Sequence, residues 1–215
     1  MKIQAFRCNE FAENCYVAYD DESLEAFIVD PGMKYENEWQ QVFNYVSEHK
    51  LNIKYIFVTH YHLDHIFGTG KCVEEFGVEL SGSIEDQLGL PSPQIQSQMF
   101  GLPFSNTISS ITNNIVEGDK LLLGSKTIEV IDCPGHSHHG LCFYVPSAKA
   151  LFSGDVLFYC SIGRSDFGRQ MGGDGMLLVE GITTKLLILP SDVVVYPGHG
   201  PITTIEKEIK HNPYI

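Results

Sequence analysis

Residues 54–68 read KYIFVTHYHLDHIFG, and this stretch decides the fold. YIFVT (55–59), rich in β-branched and aromatic residues, reads as a strand. It runs straight into His60, His62, Asp64 and His65. Three imidazoles and a carboxylate packed against a strand end suit a metal ion. Imidazole nitrogen and carboxylate oxygen together match Zn²⁺, Fe or Mn²⁺. A turn of H-x-H-x-D-H type can also aim alternate side chains at two neighbouring ions, so this loop could supply half of a two-metal site.

The same grammar recurs three times downstream. TIEVIDCPG leads into His136, ALFSG into Asp155, and VVVYPG into His199. Each time an apolar strand ends and a Gly or Pro stands just before a metal-capable side chain. Strand ends of a layered α/β protein share a rim on which loops converge side chains. The pairing of CPGH (133–136) with YPGH (196–199) hints at an internal duplication. Of His136, His138 and His139, the first is chosen because it follows Pro-Gly as His199 does. His49 and His211 lie in polar, helix-like surroundings and read as solvated.

Around these loops the pattern is mixed. KIQAF (2–6), CYVAY (15–19) and EAFIV (25–29) read as strands, with a hairpin turn at residues 20–23 and a stop at Asp30-Pro31-Gly32. Residues 35–50 carry Trp39, Val42, Phe43 and Val46 at helical spacing. A second helix ends near Phe76-Gly77. Residues 81–118, rich in Ser, Gly, Pro, Gln and Asn, read as a long, partly irregular insertion of the kind that forms lids or substrate walls. KLLL, TIEVID, LCFYV and ALFSG then give a second set of strands. A helix at 175–189, a strand at 193–196 and a short helix over 204–211 follow. Single helices punctuating strands in both halves predict two mixed sheets with helices outside. With no low-complexity linker, residues 1–215 read as one domain.

The totals narrow the classes of function. Fourteen Lys and Arg against 27 Asp and Glu give a formal charge of −13. Such an acidic chain is a poor fit to nucleic acid or anionic membrane, whose phosphates need clustered cations. No stretch has the length and apolarity of a membrane span, and MKIQAFRCNEF lacks the apolar core of a signal peptide. The six cysteines form no CxxC pair and read as reduced thiols, predicting a soluble cytoplasmic protein. Oligomeric state is not legible.

THYHLDH, PGHSHHG, FSGD and YPGHG resemble, in order and spacing, the motifs of the metallo-β-lactamase superfamily. NC (14–15), VDPG (29–32), GDVLF (154–158), IGRSDF (162–167) and PGHGPITTIEKE (197–208) are most similar to its short glyoxalase II-type hydrolases. The resemblance implies an αβ/βα sandwich with a binuclear site between two sheet edges. It implies that His60, His62 and His136 hold one divalent ion, that Asp64, His65 and His199 hold the other, and that Asp155 bridges them. Zinc is the first expectation for the ions, with iron or manganese as alternatives. The implied activity is hydrolysis of a small-molecule thioester such as S-lactoylglutathione. Two ions roughly 3.5–4 Å apart would share a water and lower its pKa toward ~7, supplying hydroxide. Asp64 is the expected group to orient or accept the proton during attack.

Arg164 lies where glyoxalase II enzymes place a cation for glutathione, and equally reads as a salt-bridge residue. Asp30 resembles a position that orients ligand loops, or simply a turn residue. The sequence departs from the family in three places: at His139, where Gly is usual; at GRQMGGD (168–174), which is longer than usual; and at its end, Ile215, before the helical domain of the larger glyoxalase II enzymes. A mononuclear-iron persulfide dioxygenase of the same fold is the main alternative. β-Lactam hydrolysis, a non-enzymatic metal site and a Cys133–His136 nucleophile rank lower.

Overall fold

Period-two burial in the strands and a helical apolar stripe outside them build the architecture. The computed structural model describes residues 1–103 and 108–215. A first sheet has the order β1 (Lys2–Cys8), β2 (Glu13–Tyr19), β3 (Glu25–Val29), β4 (Asn52–Phe57), β5 (Leu80–Gly82) and β6 (Asn113–Asn114). It is antiparallel up to β3 and parallel from there on. The second half forms β7 (Lys120–Leu123), β8 (Lys126–Asp132), β9 (Leu141–Val145) and β10 (Ala150–Gly154). A small hairpin of β11 (Leu157–Phe158) and β12 (Ser161–Ile162) follows, then β13 (Val194–Pro197) and β14 (Thr203–Thr204). The second sheet runs β14-β13-β10-β9-β8-β7, with only β10 and β13 parallel.

The sheets pack face to face. Alternate residues Tyr16, Ala18, Phe27, Val29 and Phe57 of the first meet Ile128, Val130, Phe143, Val145 and Phe152 of the second in one buried cluster. The residues between them point outward. Val17, Tyr19, Ala26, Ile28 and Ile56 pack under α1 (Glu36–Glu48), whose Trp39, Val42 and Val46 are buried, while Cys72 of a later helix closes the same cluster. On the far side Cys142, Tyr144, Leu151 and Val195 take Leu178, Ile182, Leu186 and Ile205. Helix, sheet, sheet and helix thus make the two mixed sheets with outer helices that the pattern predicts, in the four-layer αβ/βα sandwich that the resemblance implies. The helices after α1 are α2 (Leu63–Ile66), α3 (Thr69–Phe76), α4 (Ile84–Gly89), α5 (Pro93–Met99), α6 (Gly175–Gly181) and α7 (Ile205–His211).

Two expectations need revision. The 81–118 segment is more ordered than its composition suggests. Ser83 and Ser92 accept hydrogen bonds from Asp86 N and Ile95 N and so cap α4 and α5, with Pro93 in the first turn of α5. Residues 104–107 of that segment lie outside the described residues. The helix expected over 175–189 is regular only to Gly181 and then widens into a π-type turn over Ile182–Leu186.

An ion pair ties the ends of the two sheets. Lys126, in the β7–β8 hairpin, donates to Asp20 Oδ1 at 2.8 Å, and Ser23 donates to Oδ2 at 3.0 Å. Lys126 holds the Asp20 carboxyl down at about 2. A carboxylate whose folded pKa is depressed stabilises the fold above its unfolded value of about 4 and loses that contribution as pH falls through its folded value. The melting temperature of Asp20→Asn should therefore lie below that of the parent at pH 5, and the gap should close as pH drops toward 2.

Candidate metal centre

The site lies where strands of both sheets end. Asp30 follows β3, His60 follows β4, His136 follows β8, Asp155 follows β10 and His199 follows β13. Backbone bonds lock these loops across the two sheets: Leu141 N donates to Thr59 O and Asn14 N to Gly198 O, both at 2.7 Å. Close approach needs glycine twice. Gly154 sits at φ +47°, and a Cβ there would fall 2.3 Å from Thr59 Oγ1. A Cβ on Gly198 would lie 2.3 Å from Asp155 Oδ1 and 2.7 Å from His65 Cε1. The Pro-Gly before His199 therefore brings its backbone against the other donors.

All seven sequence-predicted donors converge. His60, His62 and His136 form one group whose ligand-type atoms lie within 4.8 Å of one another, and Asp64, His65 and His199 form another; His60, His65 and Asp155 form a third that overlaps both. Asp155 stands between the groups, with Oδ1 3.5 Å from His65 Nε2 and Oδ2 3.5 Å from His136 Nε2 and 3.6 Å from His199 Nε2. Asp64 Oδ2 lies 3.2 Å from His199 Nε2 and 3.7 Å from His65 Nε2.

Outer nitrogens are held so that inner ones face the centre. His136 Nδ1 donates to Arg164 O at 2.7 Å, His199 Nδ1 to Phe11 O at 3.1 Å, and His65 Nδ1 to Asp30 Oδ2 at 3.0 Å. His60 Nδ1 donates to Thr59 Oγ1 at 2.9 Å, and that hydroxyl donates to Asp30 Oδ2 at 2.8 Å. Asp30 also accepts from Thr59 N at 2.6 Å. It reaches His65 directly and His60 through Thr59, the arrangement of a carboxylate that orients donor imidazoles rather than of a simple turn residue.

The donor set fits a pair of divalent ions. His60 Nε2 is buried without a hydrogen bond, and His65 Nε2 and Asp155 Oδ1 are buried with only each other at 3.5 Å, which is costly unless something else binds them. Burial, reinforced by neighbouring imidazoles, keeps His60 well below its usual range and His62 down at about 3, so both are neutral with lone pairs to give. Burial would lower His65 too, but Asp64, Asp155 and Asp30 hold it well above the usual range. His199 is raised despite burial, chiefly by Asp64. Burial opposes ionisation of Asp64 and Asp155, yet His65 keeps both below the usual carboxylate range. Cations entering here would take the place of protons now shared among these groups.

Several residues around the centre carried no sequence signal. Asp86 of α4 accepts from Tyr61 N and His139 N, each at 2.8 Å. Gln96 of α5 accepts from Leu63 N at 2.9 Å and donates to Tyr61 O at 3.1 Å. Both side chains are buried, so the 81–118 segment clamps the His60–His65 loop. Asn9, at φ +49°, donates to Gly32 O and Asp64 O, both at 2.9 Å. Glu13 is buried under the same turn with neither oxygen hydrogen-bonded, and burial pushes its carboxyl well above the usual range. Gln96→Ala should weaken metal binding by about tenfold, the lower end for losing an outer partner of a metal site. Chelator competition measures this, and an unaltered affinity would show that Gln96 does not hold the loop.

The other forecast residues resolve as follows. His139 does not approach the donors: its ring pairs with Glu85 at 3.3 Å and Asp132 at 3.4 Å, drawn there by two carboxylates on the outer side of its loop. Arg164 lines the cleft but is engaged by Asp166, its Nε and NH2 donating at 2.9 Å each. In the 168–174 stretch, Met171 forms part of the cleft wall, and its carbonyl lies 3.3 Å from His62 Nε2. His49 and His211 are exposed. Cys133 is buried among apolar side chains, and burial pushes its thiol up to about 12, the wrong direction for a nucleophile.

A four-layer sandwich with two linked His/Asp groups on its rim defines a metal-dependent enzyme scaffold of the hydrolase type. The chain belongs to the metallo-beta-lactamase superfamily, whose family profile matches residues 8–199. It is 37% identical over 216 residues to a hydroxyacylglutathione hydrolase, GloC, of Haemophilus influenzae, a match that spans 100% of this chain and 98% of the relative. Among solved structures, the BLEG-1 B3 metallo-beta-lactamase superposes with a TM-score of 0.87 at 32% identity, covering 99% of both chains. TTHA1623 in a di-iron-bound form superposes at 0.83 and 28% identity, covering 99% of this chain and 100% of that one. The fold implies divalent metal ions.

Proposed function

We propose that residues 1–215 act as one binuclear metal-dependent hydrolase domain that cleaves thioesters such as S-lactoylglutathione or a related acyl-thiol. The observation that carries this reading is the pair of donor groups joined by Asp155, beside a cleft of about 340 Å³ that His62, Asp64, His136, Asp155 and His199 line. His60, His62 and His136 would hold one ion, and Asp64, His65 and His199 the other, with Asp155 shared. When bound, the ions supply Lewis acidity toward the acyl oxygen and a water of lowered pKa. Zinc suits this His/Asp set, and the di-iron form of TTHA1623 makes iron the main competitor.

The chain's own groups supply position and proton handling. Asp64 Oδ2 stands at the mouth of the centre, next to His199 Nε2, where it can orient the attacking water and accept its proton. Asp30 and the Arg164 carbonyl fix the imidazoles, so no reorganisation is needed as charge develops. The leaving thiolate needs no strong general acid. The name of the GloC relative supports a thioester substrate, and the second donor group supports two ions over the single iron of the dioxygenase alternative. The likeness to BLEG-1 keeps β-lactam hydrolysis as a second reading. Six free cysteines, five of them buried, agree with a reducing, cytoplasmic setting, and among the described residues no helix is long and apolar enough to cross a membrane.

The test is turnover of S-D-lactoylglutathione, a β-lactam and glutathione persulfide by metal-loaded protein. Thioester cleavage abolished by chelator supports the proposal. Turnover of the β-lactam alone, or oxygen uptake with persulfide alone, overturns it.

A further inference from the structure

The cleft above the donors carries more apolar surface than thioester hydrolysis itself demands. Phe11, from the β1–β2 loop, and Phe100, just after α5, form an edge-to-face pair with ring centres 5.8 Å apart. They are 38% and 41% exposed, an aromatic pair held open at the rim. Phe158, Phe167 and Met171 continue the wall inward. Apolar side chains exposed on a concave surface beside convergent polar groups mark a ligand site.

Charge complements that picture. Among the described residues lining the cleft, Arg164 is the one Lys or Arg. Its guanidinium is held by both oxygens of Asp166 and lies 4.4 Å over the Phe167 ring. A thiol such as glutathione brings two carboxylates, and among the described residues lining the cleft only Arg164, shared with the exposed Asp166, stands to meet them in a chain of formal charge −13. Moving a carboxylate out of water without a partner is costly. An aryl or bulky aliphatic group would instead meet ring faces and edges.

Resting on the thioester reading above, we propose that the preferred substrate carries an aryl or bulky aliphatic acyl group on a thiol recognised without paired carboxylate contacts, with Phe11 and Phe100 as specificity-determining residues. The reaction is unchanged in its balance. Water adds its oxygen to the acyl carbon, the C–S bond breaks with its electron pair on sulfur, and a carboxylic acid and a thiol result.

The experiment compares kcat/KM of metal-loaded protein on S-acetyl-N-acetylcysteamine, S-phenylacetyl-N-acetylcysteamine and S-phenylacetylglutathione. The phenylacetyl group should be favoured over acetyl by about tenfold or more, within the range that one apolar contact surface can discriminate. The neutral carrier should serve at least as well as glutathione. Phe100→Ala and Phe11→Ala should bring the phenylacetyl/acetyl ratio toward one; both rings lie at the surface, so truncation leaves the core intact. A calorimetric titration with the unreactive thioether S-phenethyl-N-acetylcysteamine should show weaker binding in both variants. A wild-type ratio near one, a glutathione preference of about tenfold or more, or thioether binding unaltered by the variants would overturn this inference and leave the hydrolase standing. Inertness of all three while S-D-lactoylglutathione is still cleaved would overturn the inference alone, and inertness of all four with two ions bound would overturn the hydrolase reading with it.

Discussion

Asp155→Ala is expected to lower both metal content and thioester hydrolysis, with activity falling by more than the roughly 10–100-fold that loss of an outer-shell partner produces. The reason is geometric. Asp155 Oδ1 faces His65, while Oδ2 faces His136 and His199, so one substitution removes a donor from both groups. It also removes one of the carboxylates that hold His65 in its raised state, and with it part of the negative field that attracts cations. Bound metal, counted by mass spectrometry of the desalted protein, should fall from two per chain to one or none, in step with kcat/KM. Unchanged metal content with unchanged activity would remove Asp155 from the site.

Asp30→Asn is the second large effect, and it touches no substrate. The Asp30 carboxylate accepts from Thr59 N, from Thr59 Oγ1 and from His65 Nδ1. An amide of the same shape keeps one acceptor oxygen and turns an NH₂ toward groups that are themselves donors. Leaving one side of a buried charged pair unmatched typically costs about 3–5 kcal/mol. Metal affinity should drop about 10–100-fold, because His65 loses its orienting partner directly and His60 loses it through Thr59. Thr59→Val, which interrupts only the His60 branch, should cost less. Chelator competition on the two variants orders these effects, and equal losses would contradict the branched arrangement.

Much of the layered fold was legible because burial alternates cleanly along the strands. Tyr16 and Ala18 face the partner sheet while Cys15, Val17 and Tyr19 face the helices, and that alternation is written in CYVAY itself. The seven candidate donors were legible for a related reason: they lie in the loops and the short helical turn that follow four strand ends, so the strand ends fix where the side chains emerge. The supports were not. Asp86 and Gln96 sit in helices whose composition reads as loop, and they act through backbone atoms of Tyr61 and Leu63 at separations of 25–35 residues, which no local pattern encodes. Phe11 and Phe100 are brought together only by the fold. His139, in turn, looked eligible by spacing, but Asp132 and Glu85 draw its ring to the opposite side of the loop. Sequence places what a strand end presents, and misses what distant segments do to hold it.

The most direct measurement is the stoichiometry and position of bound metal in the wild-type protein, by elemental analysis together with anomalous scattering from crystals. Two ions per chain are expected, one among His60, His62 and His136, the other among Asp64, His65 and His199, with Asp155 between them. A single ion per chain at saturation, or ions bound away from Asp155, would contradict the binuclear centre.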